Sequence, residues 1–177
     1  MKYAIQNYKP EHMARVLGRD LSISTKQSIE MCNFIKKKKV KDAKKLLGKV
    51  MENKLAVPYK RFNKNIGHKP GIAAGRFPQK TTENMIKLLD EVETNAQNKG
   101  LNVDDLYIMH ICAHKASAPW HYGRQRRRKM KRTHIEIVVE EKEDKKNTKR
   151  EAPKEVSKEP KKEEKKKPVG EAKEIKK

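Results

Sequence analysis

Three stretches of the chain repeat apolar residues at spacings of three and four, and others run apolar for about eight residues or alternate apolar with polar. The first pattern predicts helices with one buried face, the second predicts strands. The first helix begins at Ser24, where S-T-K-Q forms a capping-box pattern in which Ser24 can cap and Gln27 can reach back. Ile29, Met31, Cys32, Phe34 and Ile35 give it a broad apolar stripe, and Lys36 to Lys39 set cations at its negative end. A second helix over about 41–54 presents Ala43, Leu46, Leu47, Val50 and Met51 to the core. So few residues separate the two that an antiparallel pair is expected. A third helix over about 79–98 carries Met85, Ile86, Leu88, Leu89, Val92 and Ala96 on one side, and Gly100 closes it.

Strands come after the third helix. LYIMHICA (106–113) and THIEIVV (133–139), separated by some nineteen residues without an acid, read as one long antiparallel hairpin. In the return strand Ile135, Ile137 and Val139 alternate with His134, Glu136 and Glu140, so one face is expected to be buried. MARVLGRDLSI (13–23), bearing Arg15 and Arg19, is expected to be a third strand beside the hairpin. Before it lies a polar lead-in whose Tyr3, Ile5 and Tyr8 can pack, and Asp104 with Asp105 reads as a turn into the hairpin. These elements predict an α+β domain over 1–142: three α-helices packed on a small three-stranded antiparallel sheet, with a long protruding β-hairpin over 106–141.

Two segments fit neither pattern. Residues 56–80 hold three prolines, three glycines, three aromatics and six basic residues with no acid. A loop of that length inside a domain carries function or disorder, and the interleaving of aromatic and basic residues favours a loop ordered by a bound nucleic acid. Residues 143–177 are Lys and Glu with scattered Pro and almost nothing apolar, which predicts a disordered tail.

Charge changes the picture most. The formal net charge is +22, and because 141–177 hold 15 basic and 10 acidic side chains, the first 140 residues carry +17. The hairpin tip concentrates it: Lys115, Arg124, Arg126, Arg127, Arg128, Lys129, Lys131 and Arg132 follow one another with no carboxylate between them. An isolated tip of this kind repels itself, so it is expected to stay mobile until a polyanion completes it. Arginine outnumbers lysine there five to three, and its planar guanidinium holds a phosphate bidentately and stacks on bases. Trp120, His121 and Tyr122 add stacking surfaces of the kind that hold irregular RNA.

Other classes fall away. No apolar run nears the ~20 residues of a membrane span, no apolar leader follows the N-terminus, and no basic amphipathic helix has a Trp- or Phe-rich face, so no membrane partner is expected. Cys32 and Cys112 each lie in an apolar pattern and read as small buried hydrophobes, and their separation matches no zinc-finger or ribbon spacing. His110 and His114 share a strand face but lie about 13 Å apart at strand rise, too far to share a metal or a phosphate. No phosphate loop, nucleophile elbow or paired-carboxylate site is present, so neither catalytic residues, a metal nor a cofactor is expected.

VPYKRFN followed by GRFPQK, the helix ending NAQNKGLNVDDLYI, and the return strand THIEIVVEEK are similar, in order and spacing, to the ribosomal large-subunit protein twenty-two family in its archaeal and eukaryotic branch. The resemblance runs from about Met13 to Lys142. It implies a non-enzymatic constituent of the cytoplasmic large ribosomal subunit, seated near the exit of the nascent-peptide tunnel, that aids assembly. Its hairpin would thread through ribosomal RNA and form part of the tunnel wall, with RNA, neighbouring ribosomal proteins and the nascent polypeptide as partners. By position, the family's hairpin arginines fall on Arg124, Arg126, Arg127 and Arg128, and its loop contacts on Arg61, Asn63 and Arg76. With the flanking chemistry, the expected RNA-binding set adds Arg15, Arg19, Lys60, Lys64, Lys80, Lys115, Trp120, Tyr122, Lys129, Lys131 and Arg132. Two features depart from the family pattern. Trp120 stands where an arginine is usual, and the segment between Lys115 and Gly123 is shorter, which retracts the tip by about 3.3 Å per missing residue. A non-ribosomal architectural nucleic-acid binder or RNA chaperone is the competing reading.

Overall fold

A computed structural model of the chain describes residues 3–142; the expected Lys/Glu tail lies outside them. Three strands form the main sheet: β1 (Met13–Leu21), β5 (Leu106–Lys115) and β6 (Thr133–Glu141), in the order β1-β6-β5 and antiparallel throughout. Register runs from Met13↔Glu140 to Leu21↔Thr133 on one side of β6, and from Leu106↔Glu141 to Lys115↔Thr133 on the other. Three helices, α1 (Thr25–Ile35), α2 (Val40–Met51) and α3 (Gln79–Gln97), complete the expected α+β domain. The inner sheet face, with Val16, Ile108, Ile111, Ile135, Ile137 and Val139, meets Met31 and Ile35 of α1 and Met85, Leu89 and Val92 of α3 in one core.

Local chemistry explains several details. Helix α3 passes so close to β1 that a Cβ on Gly18 would stand 3.0 Å from side-chain carbons of both Leu21 and Leu88, so any larger residue there obliges both leucines to shift. At the other end of α3, Gly100 adopts φ +76°. Its N–H donates to the Gln97 carbonyl and that of Leu101 to Ala96, which satisfies helix-end acceptors in the way a C-terminal glycine permits.

Four expectations are corrected. The Ser24 side chain makes no cap hydrogen bond; instead Gln27 Oε1 accepts from Thr81 Oγ1 at 3.3 Å and Thr25 Oγ1 pairs with Thr133 Oγ1 at 2.9 Å. The side chains near the helix start tie α1 to α3 and β6. Second, α1 stops at Ile35 with Lys36 as its C-cap, so the rest of the lysine run lies beyond the helix and puts no cation in its last turn. Lys37, at φ +63°, turns the chain back. Its N–H then donates to the Ile108 carbonyl, and Ile108 N–H donates to Lys38, which satisfies polar groups on the β5 edge. Third, this edge-pairing carries α2 away from α1. The two do not form the expected pair: α2 packs on α3, where Lys44 bridges Asp90 at 2.5 Å and Glu93 at 2.6 Å. Fourth, β6 is buried on both faces, since Glu136 and Val138 are as enclosed as Ile135 and Ile137. The lead-in reaches its outer face: Ala4 N–H donates to Glu136 Oε2 at 3.0 Å. Lys99 Nζ fastens the same segment, donating to the Tyr8 hydroxyl and to the carbonyls of Pro10 and Met13.

Residues 56–80 also differ from a bare loop. They fold into a second small sheet of β2 (Val57–Pro58), β3 (His68–Lys69) and β4 (Ala73–Arg76), ordered β2-β4-β3.

Candidate nucleic-acid interface

The small sheet is anchored by one buried acid. Glu30, on α1, is only 2% exposed. Its carboxylate accepts the main-chain N–H groups of Lys60, Arg61 and Phe62 at 3.2, 2.8 and 2.9 Å. Hydrogen bonds to an ionised acceptor are the stronger kind, so the segment is held by protein and needs no nucleic acid to order its backbone. That corrects the expectation of RNA-dependent ordering. Sequence reasoning missed Glu30 because its acidic side chain, flanked by Met31 and Ile29, looks like any solvated helix residue.

Glu30 fixes where the cations point. Arg61, Lys64 and Arg76, with Lys131 from the hairpin, line a cleft of about 430 Å³ floored by Tyr59 and Phe62. The Tyr59 hydroxyl is buried there without a hydrogen-bond partner in the structure. Burial, opposed by nearby Arg76, raises its pKa, so it is a neutral donor at physiological pH. A second hollow shares Ser24, Lys26, Phe62 and Lys131 with the first and continues along the hairpin base past Lys115, Lys129 and Arg132. Loop and hairpin base thus form one cationic trough, with Lys26 an addition that sequence reasoning omitted. Arg61 lies 5.3 Å and Lys26 5.7 Å from the Phe62 ring centroid, so aromatic and guanidinium faces stand side by side. Lys60, Asn63 and Lys80 are exposed nearby on the same segments.

The tip is more ordered than its charge suggests. Beyond the Lys115↔Thr133 pair the arms stay joined by Ala116 N–H to Arg132, Met130 N–H to Pro119 and His121 N–H to Arg128, with a bridge between Trp120 and Lys129. Lys129 Nζ lies 4.5 Å from the Trp120 ring centroid. A short 3₁₀ turn, Gly123–Gln125, ends the hairpin. The expected unformed tip is therefore corrected at the level of the main chain, while Lys129 is its one cation stacked on a ring among the described residues. Arg124, Arg126 and Arg127 ring an open hollow, and Trp120 and Tyr122 are 58% and 87% exposed. Large exposed aromatics beside unpaired guanidiniums are surfaces that expect a partner.

Arg15 and Arg19 stand apart. Both project from β1 on the outer sheet face, and the Arg15 guanidinium is sandwiched between Tyr3 and Tyr8 at 4.7 and 4.5 Å from their centroids. The trough and tip do not include them.

Among the described residues, the ion pairs use Lys39, Lys41, Lys44, Lys54, Lys87, Lys142, His114 and His134, and none uses a trough or tip cation. No described helix is long and apolar enough to cross a membrane. The chain matches the family model for ribosomal protein L22p/L17e over residues 16–140. It is 38% identical over 148 residues to the large ribosomal subunit protein uL22 of Thermofilum pendens, covering 80% of this chain and 97% of that protein. Similarity to the protein of the same name from Archaeoglobus fulgidus is 39% over 144 residues, 75% and 93% of the two chains. The corresponding Methanoculleus marisnigri protein is 41% identical over 139 residues, 74% and 91%.

Proposed function

The chain belongs to the ribosomal protein L22p/L17e family, structural and non-enzymatic proteins of the large ribosomal subunit, and on that premise we propose that it binds large-subunit ribosomal RNA through two connected surfaces, the trough and the hairpin tip. The carrying observation is that the trough and tip cations have no carboxylate partner among the described residues, on a chain of net charge +22. Phosphate neutralisation then supplies most of the affinity, with the guanidiniums and the Trp120 and Tyr122 rings adding stacking contacts.

The domain fixes the direction in which the hairpin leaves, because β5 and β6 are continuous from the core into the tip. Beyond Lys115 each arm projects some seven residues, roughly 20 Å at strand rise. In the proposed reading that length inserts between RNA segments during assembly, and the Tyr122 to Arg128 end lines the wall of the nascent-peptide tunnel, in reach of the emerging chain. The competing architectural or chaperone reading loses its basis with the family match.

The test is binding of the full chain to large-subunit RNA fragments against salt. Many phosphate contacts predict a steep linear fall of log affinity with log salt, about 0.7–0.9 per phosphate neutralised. Duplex DNA should compete poorly. A flat salt dependence, or equal competition by duplex DNA, would overturn the RNA-binding reading.

A further inference from the structure

The outer face of the main sheet gathers side chains that the RNA surface does not use. His110 and Cys112 are two apart on β5 and so share a face, and Cys112 is directly opposite Glu136 on the central strand. One imidazole nitrogen of His110, the Cys112 Sγ and a Glu136 carboxylate oxygen all lie within 4.8 Å of one another. This grouping depends on an irregularity. The β5–β6 register shifts between Ile108 and His110, so that Ile108 pairs with Val139 and His110 with Val138. Without that shift His110 would share the inner face with Ile108. The bulge re-aims it to the side that holds Glu136, as bulges near functional sites do.

Two further observations mark the cluster as unfinished. His110 Nε2 is buried with no hydrogen-bond partner in the structure, a condition that costs free energy unless something occupies it. Glu136 is 1% exposed and takes bonds from several sides: Ala4 N–H on Oε2 at 3.0 Å, and Cys112 Sγ at 3.0 Å and His114 Nε2 at 2.5 Å on Oε1. A sulfur, an imidazole nitrogen and a carboxylate oxygen at this spacing form a mixed donor set of the kind borderline-soft zinc takes.

We propose that His110, Cys112 and Glu136 bind one zinc ion on the outer face of the sheet, with His114 as the positioning residue that holds Glu136. On binding, the Cys112 thiol releases its proton to solvent and the sulfur coordinates as thiolate, His110 supplies one imidazole nitrogen, and the fourth position falls toward His114, whose Nε2 lies 2.9 Å from Cys112 Sγ and 2.5 Å from Glu136 Oε1. The Ala4 N–H to Glu136 bond makes the lead-in a cover over the site, so metal binding secures the N-terminal segment against the sheet.

The probe is cobalt(II), followed by zinc(II), added to the full chain after chelation under reducing conditions. One cobalt per chain with a thiolate-to-metal charge-transfer band, bleached by one equivalent of zinc, is expected. Cys112→Ser abolishes the band, His110→Ala weakens binding at least 100-fold, His114→Ala keeps the one-to-one band but weakens affinity by about 10- to 100-fold, and Cys32→Ser changes nothing. A thermal melt accompanies each variant. On the unsubstituted chain, zinc should slow alkylation of Cys112 at least tenfold. Absence of a one-to-one complex, a band that survives Cys112→Ser, loss of binding with His114→Ala but not His110→Ala, or alkylation unchanged by zinc overturns the proposal.

Discussion

Replacing Glu30 with alanine removes the acceptor for three main-chain N–H groups without touching a single cation of the trough. The separations of 3.2, 2.8 and 2.9 Å are those of sound bonds to a charged acceptor, about 1.5–3 kcal/mol each in isolation. Such terms do not add, and donors freed at 60–62 can turn toward water, so about 3 kcal/mol is the expected cost for the whole clasp. At 1.4 kcal/mol per tenfold, opening of the 56–80 segment rises about 100-fold. Hydrogen exchange reads this directly: the Lys60, Arg61 and Phe62 amides should lose about two orders of magnitude of protection, while amides of β6 keep theirs. Because Arg61, Lys64 and Arg76 then lose their fixed placement, affinity for large-subunit RNA should fall about tenfold, with the secondary structure unchanged. Glu30→Gln, which keeps one oxygen for the two shorter bonds, should fall between. Unchanged protection at 60–62 would refute the clasp; a segment that opens while affinity holds would refute the trough.

Alanine at Arg126, Arg127 and Arg128 together should reduce the salt slope of RNA binding by about two to three units and leave the melting temperature nearly unchanged, since these side chains touch nothing in the core; loss of folding would contradict a tip without structural duty. Trp120 is the only tryptophan and is exposed, so its emission should be quenched when RNA binds, and Trp120→Ala should cost about 1–3 kcal/mol of affinity; an unperturbed spectrum on binding would remove it from the interface. Gly18→Ala should destabilise the domain by about 1–3 kcal/mol in denaturant melts, because its methyl would meet Leu21 and Leu88 at 3.0 Å. Burial disfavours the Lys44 ammonium, but its bonds to Asp90 and Glu93 outweigh that and raise its pKa. A raised cationic pKa stabilises below the unfolded value, about 10.4, and is lost as pH climbs through the folded one. Stability should therefore fall above pH ~10 in the unsubstituted chain, and that component of the fall should be missing in Lys44→Met.

What was legible in the sequence and what was not divides along physical lines. The three helices, the hairpin and the flanking third strand follow from apolar periodicity, since burying a face is a local requirement repeated along the element. The order within 56–80 was not legible, because it rests on two-residue strands and on a carboxylate some thirty residues away in sequence. Nor was the fate of Lys36 to Lys39. A helix end suits cations, but the edge of β5 offered hydrogen bonds, and Lys37 at positive φ made the turn that reached them. Alternation predicted one wet face for β6; Glu136 is instead covered because the lead-in returns over it.

The candidate interface was legible to different depths. Tip and trough cations were readable from charge runs without acids, and the structure groups most of them. Arg15 and Arg19 were named by residue type, yet they lie on another face. Cys112, read as a small buried hydrophobe, is half-buried and hydrogen-bonded to Glu136; burial and that bond push its thiol pKa up to about 12. Strand rise set His110 and His114 apart, but it could not place Glu136, which depends on cross-strand register and a bulge and draws both imidazoles toward one carboxylate.

The most direct test of the central claim is sucrose-gradient sedimentation of native lysate at low and high salt, followed by detection of this chain. The chain should travel with the large ribosomal subunit and remain there through a salt wash, because trough and tip contacts would be inserted among RNA segments. Release into light fractions at moderate salt, or co-sedimentation with chromosomal DNA, would contradict it.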